Sequence, residues 1–201
     1  MVRFLVIIIL TFSFQSLAKA DNIRDFQIEG ISIGDSLLEF SSENEIKRYM
    51  ISDYKSKLYS RFTLRSIFSS DLEIYDDIQV HFKTNDKNFI IASISGGIYY
   101  ENEFNKCLKK KELIIEEISS MFPNARVNDQ GTSPWLAADE TGKTITSQYF
   151  FNFGSQKYND YIEIACYDWG EEAGKKFNAA DHLKVGINTK SFEKWLVEKA
   201  W

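Results

Sequence analysis

Residues 77–100 read DIQVHFKTNDKNFIIASISGGIYY, and this stretch decides the fold class. From Asp77 to Lys83 the side chains alternate, with Ile78, Val80 and Phe82 on one side and Gln79, His81 and Lys83 on the other. A period of two puts one set against a core and the other on the opposite face of a sheet. Thr84-Asn85-Asp86-Lys87 is a polar turn, and a second strand-like run follows from Asn88 to Tyr100. Together they predict an antiparallel hairpin. Gly96-Gly97 in the second run predicts a bulge or a close backbone approach.

A third strand-like run, Leu58 to Ile67, precedes the hairpin, and the strongest helix, Glu103 to Met121, follows it. Cys107, Ile114, Ile118 and Met121 form one stripe of that helix, with Leu108, Ile115 and Phe122 beside it, and Pro123 ends it. Three more strands are predicted, Thr144 to Asn152, Asp160 to Tyr167 and His182 to Thr189. Phe192, Trp195 and Leu196 then space as a terminal helix. Upstream, Phe26 to Glu29 alternates as a strand lead-in, Asp35 or Ser36 caps a turn, and Ser42 with Glu45 forms a capping box toward Met50. The order predicts an α+β fold, in which two helix-plus-antiparallel-three-strand units pack as one compact domain, with a closing C-terminal helix. The domain would run from 21 to 201, with possible subunits 21–102 and 103–201.

The beginning of the chain reads as an export signal covering residues 1–20. Arg3 is a positive n-region, Phe4 to Phe14 is apolar, and Ala18-Lys19-Ala20 offers small residues at the cleavage positions. Eleven apolar residues fall short of the roughly 20 that a helix needs to cross a bilayer. Of 24 basic residues, 22 then remain against 29 acidic, a net charge of −7. That balance argues against nucleic acid as a partner. No stable membrane insertion is expected after cleavage, and the location would be periplasmic or secreted. In such a compartment the only two cysteines, Cys107 and Cys166, read as a disulfide. Neither His81 nor His182 lies at ligand spacing from a cysteine, so no metal and no cofactor are expected.

Several short motifs carry catalytic connotations. Gly30-Ile31-Ser32-Ile33-Gly34 has the nucleophile-elbow spacing, but too little chain precedes it to build the sheet such an elbow needs. Gly142-Lys143-Thr144 has the end of a phosphate-binding loop, yet Ala137 stands where its first glycine belongs. Lys109-Lys110-Lys111 reads as a solvated basic cluster offset by Glu112, Glu116 and Glu117. Gly34-Asp35-Ser36-Leu37 resembles the first block of the GDSL-type esterases. That resemblance implies Ser36 as nucleophile, His182 as base and an aspartate three residues before it. Ala179 occupies that place, the nearest acid is the adjacent Asp181, and the family's Gly-x-Asn-Asp block is missing.

Two segments look irregular, Val127 to Lys143 and Trp169 to Asp181. They carry Trp135, Trp169 and Phe177, the candidate binding residues because aromatics dominate recognition surfaces, with Trp135 tucked over a sheet edge as a plug the alternative for that residue. The chain also resembles a group of exported bacterial proteins through Ile28-Glu29-Gly30, Ile33 to Leu38, Ile94-Ser95-Gly96, Tyr99-Tyr100, Cys107 and Cys166-Tyr167-Asp168-Trp169, a resemblance that brings no activity with it. The expectation is a non-catalytic periplasmic binding or interaction protein whose partner is a protein or a small ligand. The alternatives are a GDSL-like hydrolase using Ser36 and His182, or a structural envelope component. N-terminal sequencing of the native product is expected to begin at Asp21. A product beginning at Met1 would overturn both the export reading and the compartment argument for the disulfide.

Overall fold

The computed structural model describes residues 22–52, 54–65 and 72–200. The expected export signal, residues 1–20, lies outside them, as does the end of the expected strand Leu58 to Ile67. Among the described residues four α-helices, α1 (Glu43–Tyr49), α2 (Phe104–Met121), α3 (Glu171–Phe177) and α4 (Lys190–Glu198), accompany seven strands. These are β1 (Tyr59–Arg65), β2 (Asp77–Lys83), β3 (Ile91–Tyr99), β4 (Arg126–Pro134), β5 (Ile145–Phe153), β6 (Asp160–Asp168) and β7 (His182–Asn188). All pair antiparallel in one sheet of order β1-β2-β3-β7-β6-β5-β4. The fold is therefore mixed α+β.

The arrangement differs from two helix-plus-three-strand units. The second half contributes four strands, with α3 inserted before the last of them. The extra strand is β4, which occupies the start of the expected loop from Val127 to Lys143. It is an edge strand, solvated along its whole length. A strand exposed on both faces has no hydrophobic alternation to betray it. The segment from Trp169 to Asp181, expected to be irregular, contains α3.

The two sheet faces differ sharply. On one, Ile78, Val80, Phe82, Ile94, Ile162, Ile164, Leu183, Val185 and Ile187 are buried. This face is covered by α2, through Cys107, Ile115 and Ile118, and by Ile23, Ile28, Ile31, Ile33, Leu37 and Ile46 from the N-terminal segment. Such a core supplies most of the stabilisation, at roughly 25 cal/mol per Å² of apolar surface removed from water. Ile91 and Ile94 both belong to it although they are three residues apart. A register shift between His81 and Phe82, opposite Ile91 and Ser93, makes that spacing possible. The irregularity is thus at Ala92, and the Gly96-Gly97 pair serves the close approach instead. A Cβ at Gly97 would stand 2.9 Å from Asp77 Oδ1.

Local signals hold at the helix starts. Ser42 and Glu45 form the capping box of α1, and Ser36 caps a short 3-10 turn at Leu37–Glu39. The basic-cluster reading needs correction at Lys111. It lies one turn after Cys107 and one before Ile115, so its stem falls on the core stripe and the residue is buried. Its Nζ donates to Ser147 Oγ at 2.8 Å and lies 3.4 Å from Glu112.

Cys107 on α2 is bonded to Cys166 on β6, with Cα atoms 5.9 Å apart and a sequence separation of 59. This bond ties the helix to the centre of the sheet. Replacing both cysteines by alanine is expected to lower unfolding stability by on the order of 4 kcal/mol, from the lost loop constraint on the unfolded chain. Chemical denaturation of the double variant checks it. A loss below about 1 kcal/mol would contradict the constraint.

Candidate functional site

The opposite face of the sheet is polar, and its rungs can be read from the strand register. One rung runs Arg61, His81, Ser93, Asn188, Tyr161. The next runs Thr63, Gln79, Ser95, Gly186, Glu163, Phe150, and a third contains Asp77, Gly97, Lys184, Ala165 and Gln148. Tyr99, His182 and Tyr167 close the far end. Between its ends this face of β3 carries only Ser93, Ser95 and Gly97, with Gly186 of β7 beside Ser95. The lack of bulk opens a groove of about 1350 Å³ above it. From Ser93 to Tyr99 the floor is about 20 Å long, at ~3.3 Å per residue.

Helices wall the groove. At one end α4 packs Phe192 and Trp195 onto Tyr59 of β1, forming a second, smaller apolar cluster with Ala92 and Tyr54. Phe192 lies 4.7 Å from the His81 ring, centroid to centroid. At the other end stand the three aromatic residues expected to matter. Trp135 is 5.4 Å from Trp169, Trp169 is 5.8 Å from Phe177, and Trp135 is 5.4 Å from Tyr167. Trp135, Trp169 and Phe177 therefore belong to one cluster on the groove wall.

Two carboxylates hold this wall in place. Asp139 accepts from the backbone and hydroxyl of both Thr141 and Thr144, at 2.6 to 3.0 Å. Thr144 Oγ1 in turn accepts from Gly170 N at 3.1 Å, which links the Trp135 loop to the start of α3. Bonds from Thr141 and then Thr144 favour the charged form and hold the Asp139 carboxyl down to about 2. Asp181 accepts from Trp169 N at 2.8 Å and from Asn102 N at 3.2 Å, joining the end of β3 to the turn after β6.

The floor is cross-linked. Glu163 is buried and accepts from Lys184 Nζ at 2.7 Å and from Tyr167 Oη at 3.1 Å. Lys184 reaches it across Gly186, where a Cβ would stand 3.4 Å from its Cε. Tyr99 Oη donates to Asp77 at 2.6 Å, and Ser93 Oγ donates to Asn188 at 2.7 Å. Burial first, then Glu163, raises the Tyr167 phenol well above its ordinary value, so it stays protonated and donates.

His81 is the exception. It is 8 % exposed, its Nε2 is bonded to Tyr54 Oη at 2.9 Å, and its Nδ1 has no hydrogen-bond partner. Burial, aided by Arg61 and Lys184, lowers its pKa to about 3, so the ring is neutral near pH 7. The indole Nε1 of Trp169 is likewise buried without a partner. Buried polar groups are nearly always satisfied, and exceptions cluster where a ligand or water completes the site.

Ser36 and His182 are not brought together. Ser36 bridges Ile90 at one end of β3, whereas His182 faces Tyr99 at the other, about 30 Å away along the strand. Ser36 Oγ donates to Asn88 O at 2.7 Å. His182 Nδ1 donates to Ala180 O at 2.8 Å, and the ring stacks on Tyr167 at 4.8 Å. Burial lowers its pKa as well. Asp181 is engaged with backbone amides, as above. Among the described residues no group of three or more His, Cys, Asp or Glu is placed to hold a metal.

Sequence reading assigned the three wall aromatics but not the floor. Asp77, Glu163, Lys184 and Asn188 lie on three strands, β2, β6 and β7, whose adjacency is set by the sheet order. Compared with protein-family models, curated proteins and solved structures, the chain matches none.

The low pKa of His81 has a sign. Below about pH 6.5 the unfolded chain takes up a proton at this position that the folded chain refuses until about pH 3. Stability is therefore lost as pH falls through that window, by at most about 1.4 kcal/mol per unit from this group. A His81→Phe variant is expected to have a flatter stability profile between pH 6.5 and 4.5 in urea titrations. Parallel profiles for the variant and the parent protein would contradict a neutral, buried His81.

Proposed function

We propose that this chain is a non-catalytic binding protein of an extracytoplasmic, oxidising compartment, with its ligand seated in the groove above β3. The observation that carries the reading is the buried, unpartnered Nδ1 of His81 on the floor of a groove walled by aromatic side chains. A stable fold has no need of a polar trough about 20 Å long whose small residues leave it unfilled. Concave sites with aromatic walls and a few convergent polar groups are the usual form of ligand pockets. The Cys107–Cys166 bond supports the compartment, since such bonds persist where thiols are not kept reduced. Among the described residues no helix is long and apolar enough to cross a membrane.

The hydrolase alternative needs a nucleophile and a base in contact, and the separation of Ser36 from His182 argues against it. On the floor Ser93 stands between His81 and Asn188, but its hydroxyl donates to Asn188 Oδ1 and His81 Nδ1 has no hydrogen-bond partner, so the two are not joined as nucleophile and base.

Two measurements test this reading. Hydrolysis of a short-chain p-nitrophenyl ester is expected to equal the buffer rate for both the parent protein and Ser36→Ala. Hydrolysis that disappears in Ser36→Ala would overturn the reading. A low-molecular-mass fraction of the native cell envelope is expected to raise the melting temperature by about 3 °C or more, as saturation of one site does for a domain of this size. Ser95→Trp, which fills the groove, is expected to abolish that rise.

A further inference from the structure

The groove has a definite chemistry. Its lining carries six carboxylates, Asp76, Asp77, Glu101, Glu163, Glu171 and Asp181, against three basic groups, Arg61, Lys175 and Lys184. Both histidines in it are held neutral by burial. Lys184 is already paired with Glu163, and Lys175 with Glu171. An anionic ligand such as a phosphate or an acidic peptide would therefore meet a field of its own sign. A purely apolar ligand would strand the hydrogen-bonding groups of the floor, which is costly.

Two of the buried atoms without a hydrogen-bond partner, His81 Nδ1 and Trp169 Nε1, lie at opposite ends of the groove. His81 Nδ1 is on the Ser93 rung, and Trp169 Nε1 lies beyond the Tyr99 rung. One ligand serving both must be extended, polar along its length and hydroxyl-rich, because both donors and acceptors line the way. It must also offer apolar faces to Trp135, Trp169 and Phe177 at one end and to Tyr54 and Phe192 at the other. A sugar ring combines these properties, with hydroxyls at its edge and a C–H face that packs on aromatic rings.

Resting on the binding reading above, we propose that the groove takes an uncharged or amino-bearing oligosaccharide, laid along β3 from His81 to Trp169. The chain lies over Ser93, Ser95 and Gly97. A ring oxygen or hydroxyl accepts from Trp169 Nε1, and a hydroxyl meets His81 Nδ1. An extended peptide of equal length is the competing occupant. It suits the groove less well, since every backbone group of the floor is already spent in the sheet and no strand edge is open there.

The test is isothermal titration of the full mature protein with a tetramer of N-acetylglucosamine, a tetramer of β-linked glucose and a neutral hexapeptide. Intrinsic tryptophan emission is followed in parallel. At least one tetrasaccharide is expected to bind saturably and shift the emission. Trp169→Phe keeps an aromatic face but removes the indole N–H with its five-membered ring, and is expected to weaken binding about fivefold or more. Ser95→Trp is expected to abolish it, with circular dichroism confirming that the variant is folded. Absence of saturable binding by both tetrasaccharides would overturn the proposal, as would binding indifferent to Trp169→Phe. Hexapeptide binding that Ser95→Trp blocks, with neither sugar bound, would overturn the sugar assignment while leaving the groove as a binding site.

Discussion

The pairing of β3 with β7 is the constraint on which the rest of the molecule depends. These strands end the two successive meanders, β1-β2-β3 and β4-β5-β6-β7, and their ladder from Ser93–Asn188 to Tyr99–His182 fuses them into one sheet. On the apolar side, Ile94 and Ile98 meet Ile187 and Leu183 across this seam, so neither half closes its core alone. On the polar side, the same register sets Ser93, Ser95 and Gly97 beside Gly186, and the low seam becomes a groove. Core and candidate site are two faces of one set of pairings.

The polar face is stable because nearly every group on it has been given a partner. Glu163 is neutralised by Lys184 and held by Tyr167, Asp77 receives the Tyr99 hydroxyl, and Ser93 is bonded to Asn188. A buried carboxylate without such partners would be strongly destabilising. Against this background the unsatisfied His81 Nδ1 and Trp169 Nε1, both on the lining of the groove, have significance. They lie at opposite ends of the groove. The disulfide and the Asp139 and Asp181 clamps hold the surroundings in place while the groove itself stays empty of side chains.

Much of the fold was legible because its signals are local. The alternation of Asp77 to Lys83 marked β2 with its bounds, the Ser42–Glu45 box marked α1, and the stripe on α2 ended at Pro123 as its spacing required. What failed depended on partners distant in sequence. Lys111 looked solvated in a run of lysines, since its partner Ser147 lies 36 residues away on β5. β4 left no pattern because both its faces are wet, and α3 is seven residues long with Gly174 inside it. The aromatics Trp135, Trp169 and Phe177 were identifiable as candidates, but the floor beneath them was not. Alternation placed Gln79 and His81 opposite the core, yet could not reveal that β3, β7 and β6 would extend that polar face and that α4 would bury part of it.

Amide hydrogen exchange tests the seam most directly. The backbone amides from Ile94 to Ile98 and from Leu183 to Ile187 are predicted to be among the slowest, and to exchange together through one global opening. Early exchange of the β3 amides, with β5, β6 and β7 still protected, would show two separately stable halves. It would contradict a single sheet as the basis of the groove.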